Sequence, residues 1–176
     1  MSDDCVFCQI AAGKVPAKKV YEDEQFVGVL DINPAAPGHV LVMPKQHIAV
    51  MPQMSDELVV RMSVVARSLS QAMLTKLEVE GVSVFVGNGA VAGQRAPHVM
   101  MHVIPRKEGD GIALDITRRD ISQEQVHEAV KKLGPAFQKY FLGKQEPAGH
   151  ASQLPEQGPP KEGNPELDDV AEFLTK

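Results

Sequence analysis

Residues 97–106 read PHVMMHVIPR, and the reading of this stretch decides the fold. In a strand, successive side chains project to opposite faces, so His98, Met100 and His102 share one face while Val99, Met101 and Val103 share the other. The second set is wholly apolar, as a core-facing row must be. The first sets a thioether between two histidines. Met100 is either a core residue with incidental histidine neighbours or the replaced middle member of a catalytic row.

Directly upstream, NGAVAGQRAP (88–97) is too rich in glycine and small residues to be anything but a loop. Gly87, Gly89 and Gly93 permit close backbone approach to a ligand, and exposed N–H groups in such a loop suit phosphate. A long turn would look the same. Histidines immediately after the loop favour the phosphate reading, because phosphate and imidazole are partners in nucleophilic and acid–base chemistry.

Farther upstream, VSVFVGN (82–88) reads as a strand, and QFVGVLDI (25–32) and HVLVMP (39–44) read as a hairpin turning through NPAAPG. From Ser55 to Leu77 the period changes. Leu58, Met62, Val65, Leu69, Ala72 and Met73 recur at three and four, with Asp56 and Glu57 in the first turn where a helix dipole favours them. A second helix is expected from Ser122, where Ser122 and Gln125 form a capping box ahead of Val126, Ala129, Val130 and Leu133. Hairpin-linked strands around one long central helix, with a second C-terminal helix, imply an α+β fold with an antiparallel sheet.

The chain of 176 residues suits one domain with a proper core. The net charge of −5 lies entirely in residues 145–176, which hold seven acids and two lysines, while residues 1–144 carry 16 of each sign. A balanced domain is a poor nucleic-acid backbone binder, so no nucleic-acid partner is expected. The tail also holds five of the 13 prolines, so 1–144 is read as the folded domain and 145–176 as a disordered acidic tail. It ends in PELDDVAEFLTK, where Leu167, Val170, Ala171 and Leu174 recur at helical spacing. That terminal helix could dock on something or simply fray. No run approaches the roughly 18 apolar residues of a spanning helix, and the acidic start MSDD is unlike a secretory signal, so no membrane partner and a cytoplasmic location are expected.

The only cysteines, Cys5 and Cys8, are spaced C-V-F-C. In a reducing compartment this spacing reads as metal or redox rather than as a structural disulfide. A redox pair usually opens a helix after a strand in a βαβ unit, whereas this pair lies near the chain start, so metal is favoured. Zinc would then need two histidines, with His39, His47, His98 and His102 as candidates.

The runs CVFCQI, LDINPAAPGHVLVMPKQH and NGAVAGQRAPHVMMHVIPR together resemble the histidine triad (HIT) family in its zinc-bearing C-x-x-C branch, over about residues 3–110. The resemblance implies a HIT-like α+β fold that pairs into homodimers with the sheet continued across the interface. It implies a purine nucleoside monophosphate or related nucleotide as ligand. It also implies hydrolysis or transfer on nucleoside phosphoramidates or dinucleoside polyphosphates. In zinc-bearing members the ligands fall on Cys5, Cys8, His47 and His98, a closed structural set. Phe7, Ile10 and Leu30 would line the base pocket and Asp31 and Ile32 would contact ribose and base. Asn88, Gly93, Gln94 and His102 would meet phosphate.

The family signature His-φ-His-φ-His-φ-φ, with φ apolar, falls on His98 through Ile104, and its nucleophilic second histidine falls on Met100. Catalysis there needs a ring nitrogen that attacks phosphorus and is later displaced by water. A methionine sulfur is nearly non-basic and cannot complete that cycle. His102 lies about 7 Å farther along the strand, too far to substitute without moving the substrate. Arg95 and Ala96 also depart from the family pattern, the longer cation either strengthening phosphate binding or blocking the pocket. The expectation is a nucleotide binder with weak or absent hydrolysis. The rivals are an active enzyme with a rearranged site, a substitution introduced at position 100, and a scaffold acting through the acidic tail.

Overall fold

The structure is a computed structural model and describes residues 4–113 and 118–142. Its elements in chain order are α1 (Val6–Ala11), β1 (Lys19–Glu22), β2 (Phe26–Leu30), β3 (Val40–Pro44), α2 (Asp56–Lys76), β4 (Gly81–Phe85), β5 (Met101–Arg106) and α3 (Gln123–Leu142). The strands form one sheet in the order β1-β2-β3-β5-β4, every pair antiparallel. This is the α+β architecture expected from the sequence.

Two rows across the ladder organise the sheet. Val29, Leu41, His102 and Phe85 are successive partners, as are Leu30, Val40, Val103 and Val84. Directly opposite residues share a face, so the two rows lie on opposite sides. The second row's side is covered by α2, where Met62, Val65, Ala66 and Met73 pack against Phe26, Val40, Val42, Val99, Met101 and Val103. On the other side Val27, Val29, Leu41 and Met43 pack with Ala11, Phe7, Ile10 and Met100. Apolar cover on both faces explains why β2 and β3 read as continuous apolar runs rather than as alternating ones.

The helices start where the sequence says they should. Ser55 Oγ accepts the Leu58 N–H at 3.4 Å ahead of α2. Before α3, Ser122 and Gln125 form the reciprocal box: Ser122 N–H donates to Gln125 Oε1 at 2.8 Å, and Gln125 N–H donates to Ser122 Oγ at 3.2 Å. Two elements were not anticipated, the short α1 and the edge strand β1. The strand expected from His98 begins only at Met101. The Val99 N–H goes instead to Ile48 O at 2.7 Å, outside the ladder.

Arg61 of α2 is bolted to the turn before β2. Asp23 accepts from Arg61 at 2.7 Å and from the backbone N–H groups of Gln25 and Phe26 at 2.8 and 2.6 Å. Burial alone would raise its pKa, but these donors and the Tyr21 hydroxyl together hold it well below the usual carboxylate range.

The chain divides after Ala113, and α3 belongs to the second unit. On α3 the apolar Val126, Val130, Leu133, Phe137 and Tyr140 are exposed. The acidic tail 145–176, with its terminal helical spacing, lies outside the described residues. Among the described residues, no helix is long and apolar enough to cross a membrane.

Candidate functional site

Cys5 caps α1 and Cys8 lies one turn on, a spacing that sets both thiols on one side of the helix. Two histidines meet them, His47 from the segment after β3 and His98 from the approach to β5. Sγ of Cys8 lies 3.3 Å from His47 Nδ1 and 3.7 Å from His98 Nδ1, and Cys5 Sγ lies 3.6 Å from His98 Nδ1. The four donor atoms all fall within 4.8 Å of one another.

This set fits zinc. Tetrahedral bonds of about 2.3 Å to sulfur and 2.0–2.1 Å to nitrogen put neighbouring donors about 3.3–3.8 Å apart. Both cysteines are buried and neither is in a disulfide, so no disulfide competes for them. His98 is fully buried, and its Nε2–H donates to Pro44 O at 2.9 Å, which leaves the Nδ1 lone pair aimed at the thiols. Burial pushes its pKa below the ordinary histidine value, favouring the neutral form that binds metal.

The other two candidate histidines are not part of this cluster. His39 and His102 pair with each other, His39 Nε2 lying 3.0 Å from His102 Nδ1. The Ala35 N–H donates to His39 Nδ1 at 3.2 Å, so Nδ1 is the acceptor and Nε2 carries the ring proton. His39 therefore donates to His102, whose Nδ1 is an acceptor and whose own proton sits on Nε2. Burial is the main cause holding both rings below their ordinary pKa, with Asp31 opposing it. Asp31 Oδ2 approaches His39 Nδ1 at 3.6 Å. Asp31 and His102 thus flank opposite nitrogens of His39, and one donor atom from each of the three falls within 4.8 Å of the others. His39 and His102 form a hydrogen-bonded pair with the Asp31 carboxylate beside it.

Met100 answers the question raised by its sequence position. It shares the His102 side of the sheet and packs in the apolar patch with Phe7 and Ile10. Phe85 lies flat on the other flank, its ring stacked on His102 at 4.4 Å between centroids and 2° between planes. Leu30 does not join Phe7 and Ile10. The alternation of β2 turns it to the α2 side, and Val29 takes its place. Ile32 lies past the strand and is 90% exposed.

The glycine loop is braced by Gln94. Its Oε1 accepts the Gly89 N–H at 2.7 Å, and its Nε2 donates to Ala49 O at 2.6 Å and Ala96 O at 2.9 Å. Asn88 Oδ1 accepts the Met51 N–H at 2.9 Å. Gly93 closes the loop in the left-handed conformation at φ 86°, which suits glycine. Gly87 is needed for space, since a Cβ there would lie 2.7 Å from Ala92 O.

Residues 12–109 match the HIT domain family. The chain belongs to the HIT family. An uncharacterised HIT-like protein of Methanocaldococcus jannaschii is 46% identical over 108 residues, 61% of this chain and 82% of its own length. The adenosine 5'-monophosphoramidase of Schizosaccharomyces pombe is 33% identical over 123 residues, 69% of this chain and 90% of its own. A zinc-bound histidine triad family protein from Mycobacterium smegmatis superposes with a TM-score of 0.62 at 35% identity, covering 77% of this chain and 99% of that one. In this HIT domain the sequence reading missed Val29, Phe85, and the role of His39 as the partner of His102. Only the strand register, which aligns Val29, Leu41, His102 and Phe85, brings these residues together.

Proposed function

We propose that this chain is a HIT-family nucleotide-binding protein. It holds purine nucleoside monophosphates and related nucleotides, and hydrolyses nucleotidyl phosphoramidates or dinucleoside polyphosphates slowly or not at all. The carrying observation is Met100, set among Phe7, Ile10 and Val29 beside His102 with an otherwise furnished site. Phe7 and Ile10 offer an apolar wall for a base, and Asp31 a carboxylate for ribose hydroxyls. Asn88, Gly93 and Gln94 shape the loop for phosphate. His102, with its proton on Nε2, is a neutral donor suited to a phosphate oxygen. That tautomer disfavours Nε2 as a replacement nucleophile, because attack on phosphorus requires an unprotonated nitrogen.

Zinc on Cys5, Cys8, His47 and His98 completes the reading. When bound, it supplies a closed structural tie and no open coordination position. The protein residues it joins hold α1, and with it Phe7 and Ile10, against the sheet beside Met100. Two thiolate ligands favour a reducing compartment such as the cytoplasm.

A homodimer is supported by the sheet edges. β1 carries Lys19 and Glu22 and an irregular register, features that discourage edge pairing. β4, Gly-Val-Ser-Val-Phe, is uncharged and offers a regular edge for a second copy.

Covalent labelling tests the central claim. Single-turnover incubation with a labelled adenosine phosphoramidate should leave no nucleotidyl group on the protein, while calorimetry detects AMP. A covalent adduct on the unmodified chain, or no AMP binding, overturns the proposal.

A further inference from the structure

The two thiols of C-V-F-C are neighbours as well as metal donors. Cys5 caps α1 and Cys8 lies in its first turn, so the pair does open a helix, as redox pairs usually do. Their sulfurs fall within 4.8 Å of each other, and neither is in a disulfide. Residues three apart on a helix hold their Cβ atoms about 5–6 Å apart, whereas a disulfide needs about 3.5–4.5 Å. Bonding Cys5 to Cys8 therefore takes a contraction of roughly 1–2 Å in the first turn of α1 and leaves the sheet as it is.

This helix can yield. It is six residues long, with no side-chain cap, no acid in its first turn and no base in its last, so it does not stand on local propensity. It is held by Cys5 and Cys8 against His47 and His98, and by Phe7, Ile10 and Ala11 against the sheet. Both thiols are buried, so an oxidant reaches them through local opening of α1. Metal ligation keeps thiolates deprotonated, the form that oxidants attack. Phe7 stands between the two cysteines in the chain, its ring centroid 6.2 Å from that of His98, and it packs in the patch that includes Ile10 and Met100. Contraction of the first turn moves Phe7.

We infer that Cys5 and Cys8 are a redox-active pair, which a hydroperoxide oxidises to a disulfide with release of the metal and displacement of Phe7. One thiolate attacks a peroxide oxygen; the O–O bond breaks, the distal oxygen leaves as hydroxide or alkoxide, and the sulfur becomes a sulfenic acid. The second thiolate attacks that sulfur and expels hydroxide, so two electrons pass from the two sulfurs to the peroxide. The metal, left with two histidines, is released. The effect on nucleotide affinity rests on the nucleotide-binding reading above, whereas the thiol chemistry does not.

Hydrogen peroxide on the full zinc-loaded chain is the test, read by a chromogenic zinc chelator, intact mass after alkylation in denaturant, amide exchange and AMP calorimetry. Oxidation should release most of the zinc and give a chain lighter by two hydrogens that takes up no alkyl group. A thiol reductant with added zinc should reverse both changes. Cys5→Ser and Cys8→Ser should each lose the reversible two-hydrogen change. In the oxidised chain the amides of Val6–Ala11 should exchange faster, and AMP should bind at least about tenfold more weakly, the scale of one displaced aromatic contact. Zinc retained with both cysteines still alkylated, or oxidation to acids that a thiol does not reverse, would overturn the redox pair. Unchanged exchange in α1, or equal AMP affinity before and after oxidation, would overturn the displacement of Phe7. Failure of the reduced chain to bind AMP would instead overturn the nucleotide reading, with zinc release, mass and exchange still deciding the redox pair.

Discussion

His39 Nε2 and His102 Nδ1 face each other at 3.0 Å, with the direction of the shared proton set by the backbone N–H of Ala35 on the far side of His39. Protonating His39 on Nδ1 would set a proton against that N–H, and protonating His102 on Nδ1 would set two donors face to face. Both rings have a folded pKa below the unfolded value of about 6.5. Below that pH the unfolded chain binds more protons than the folded one, so stability falls as pH drops from about 6.5 toward the folded values. Thermal unfolding at pH 7.5, 6.5 and 5.5 should show a decreasing midpoint. Imidazole NMR should place both transitions below 6.5; rings titrating above 7 would refute the account.

Metal removal should be costly. Cys5, Cys8, His47 and His98 join α1, the segment after β3 and the approach to β5. Protein purified without chelator should carry about one zinc per chain, and chelation should lower the unfolding midpoint by about 10 °C or more. Cys8→Ser should lose most of the metal. Less than about half an equivalent of zinc in the untreated protein would count heavily against the site.

Gly87 tests the loop separately from the His39–His102 pair. Alanine there would put a Cβ 2.7 Å from Ala92 O and 3.2 Å from Gln94 N, so the loop backbone must shift. Because the strain falls on a solvent-facing loop, the expected cost to nucleotide affinity, about tenfold, should exceed the cost to stability, about 1 kcal/mol. AMP titration beside urea denaturation separates the two. An unaltered affinity would show that the loop does not hold the phosphate.

Legibility in the sequence followed the range of the interactions involved. α2 and the Ser122–Gln125 box were readable because periodicity and capping operate within a few residues. The hairpin of β2 and β3 was readable because its turn residues lie between two apolar runs. β1 was hidden because a four-residue edge strand with Lys19 and Glu22 has no apolar pattern to show. α1 was hidden because six residues are too few for a helix to stand on propensity, and its two cysteines tie it to distant histidines. In the site, the partition of four histidines into a zinc-compatible pair and a hydrogen-bonded pair depends on register between residues 63 positions apart. Leu30, expected beside Phe7 and Ile10, was misplaced for the same reason. A one-residue difference in a strand changes the face, and only the pairing of Leu30 with Val40 settles which.

Met100→His should restore what the site lacks. The new imidazole would occupy the His102 side of the sheet, beside Phe7 and Ile10, where a ring nitrogen can attack an α-phosphorus held by the loop. Binding and chemistry rest on different residues, so they should separate cleanly. Turnover of adenosine phosphoramidate should rise by at least about a hundredfold, the low end of what a positioned catalytic group contributes. AMP affinity should change far less, because methionine and histidine are similar in length and the phosphate contacts lie elsewhere. The gain should appear in kcat rather than KM, as expected when the restored interaction exists only in the transition state. Steady-state kinetics of both proteins, with the nucleotidyl adduct trapped in the variant alone, would establish this. An unmodified chain already turning over at roughly 1 per second or faster would point to another nucleophile, His102 first.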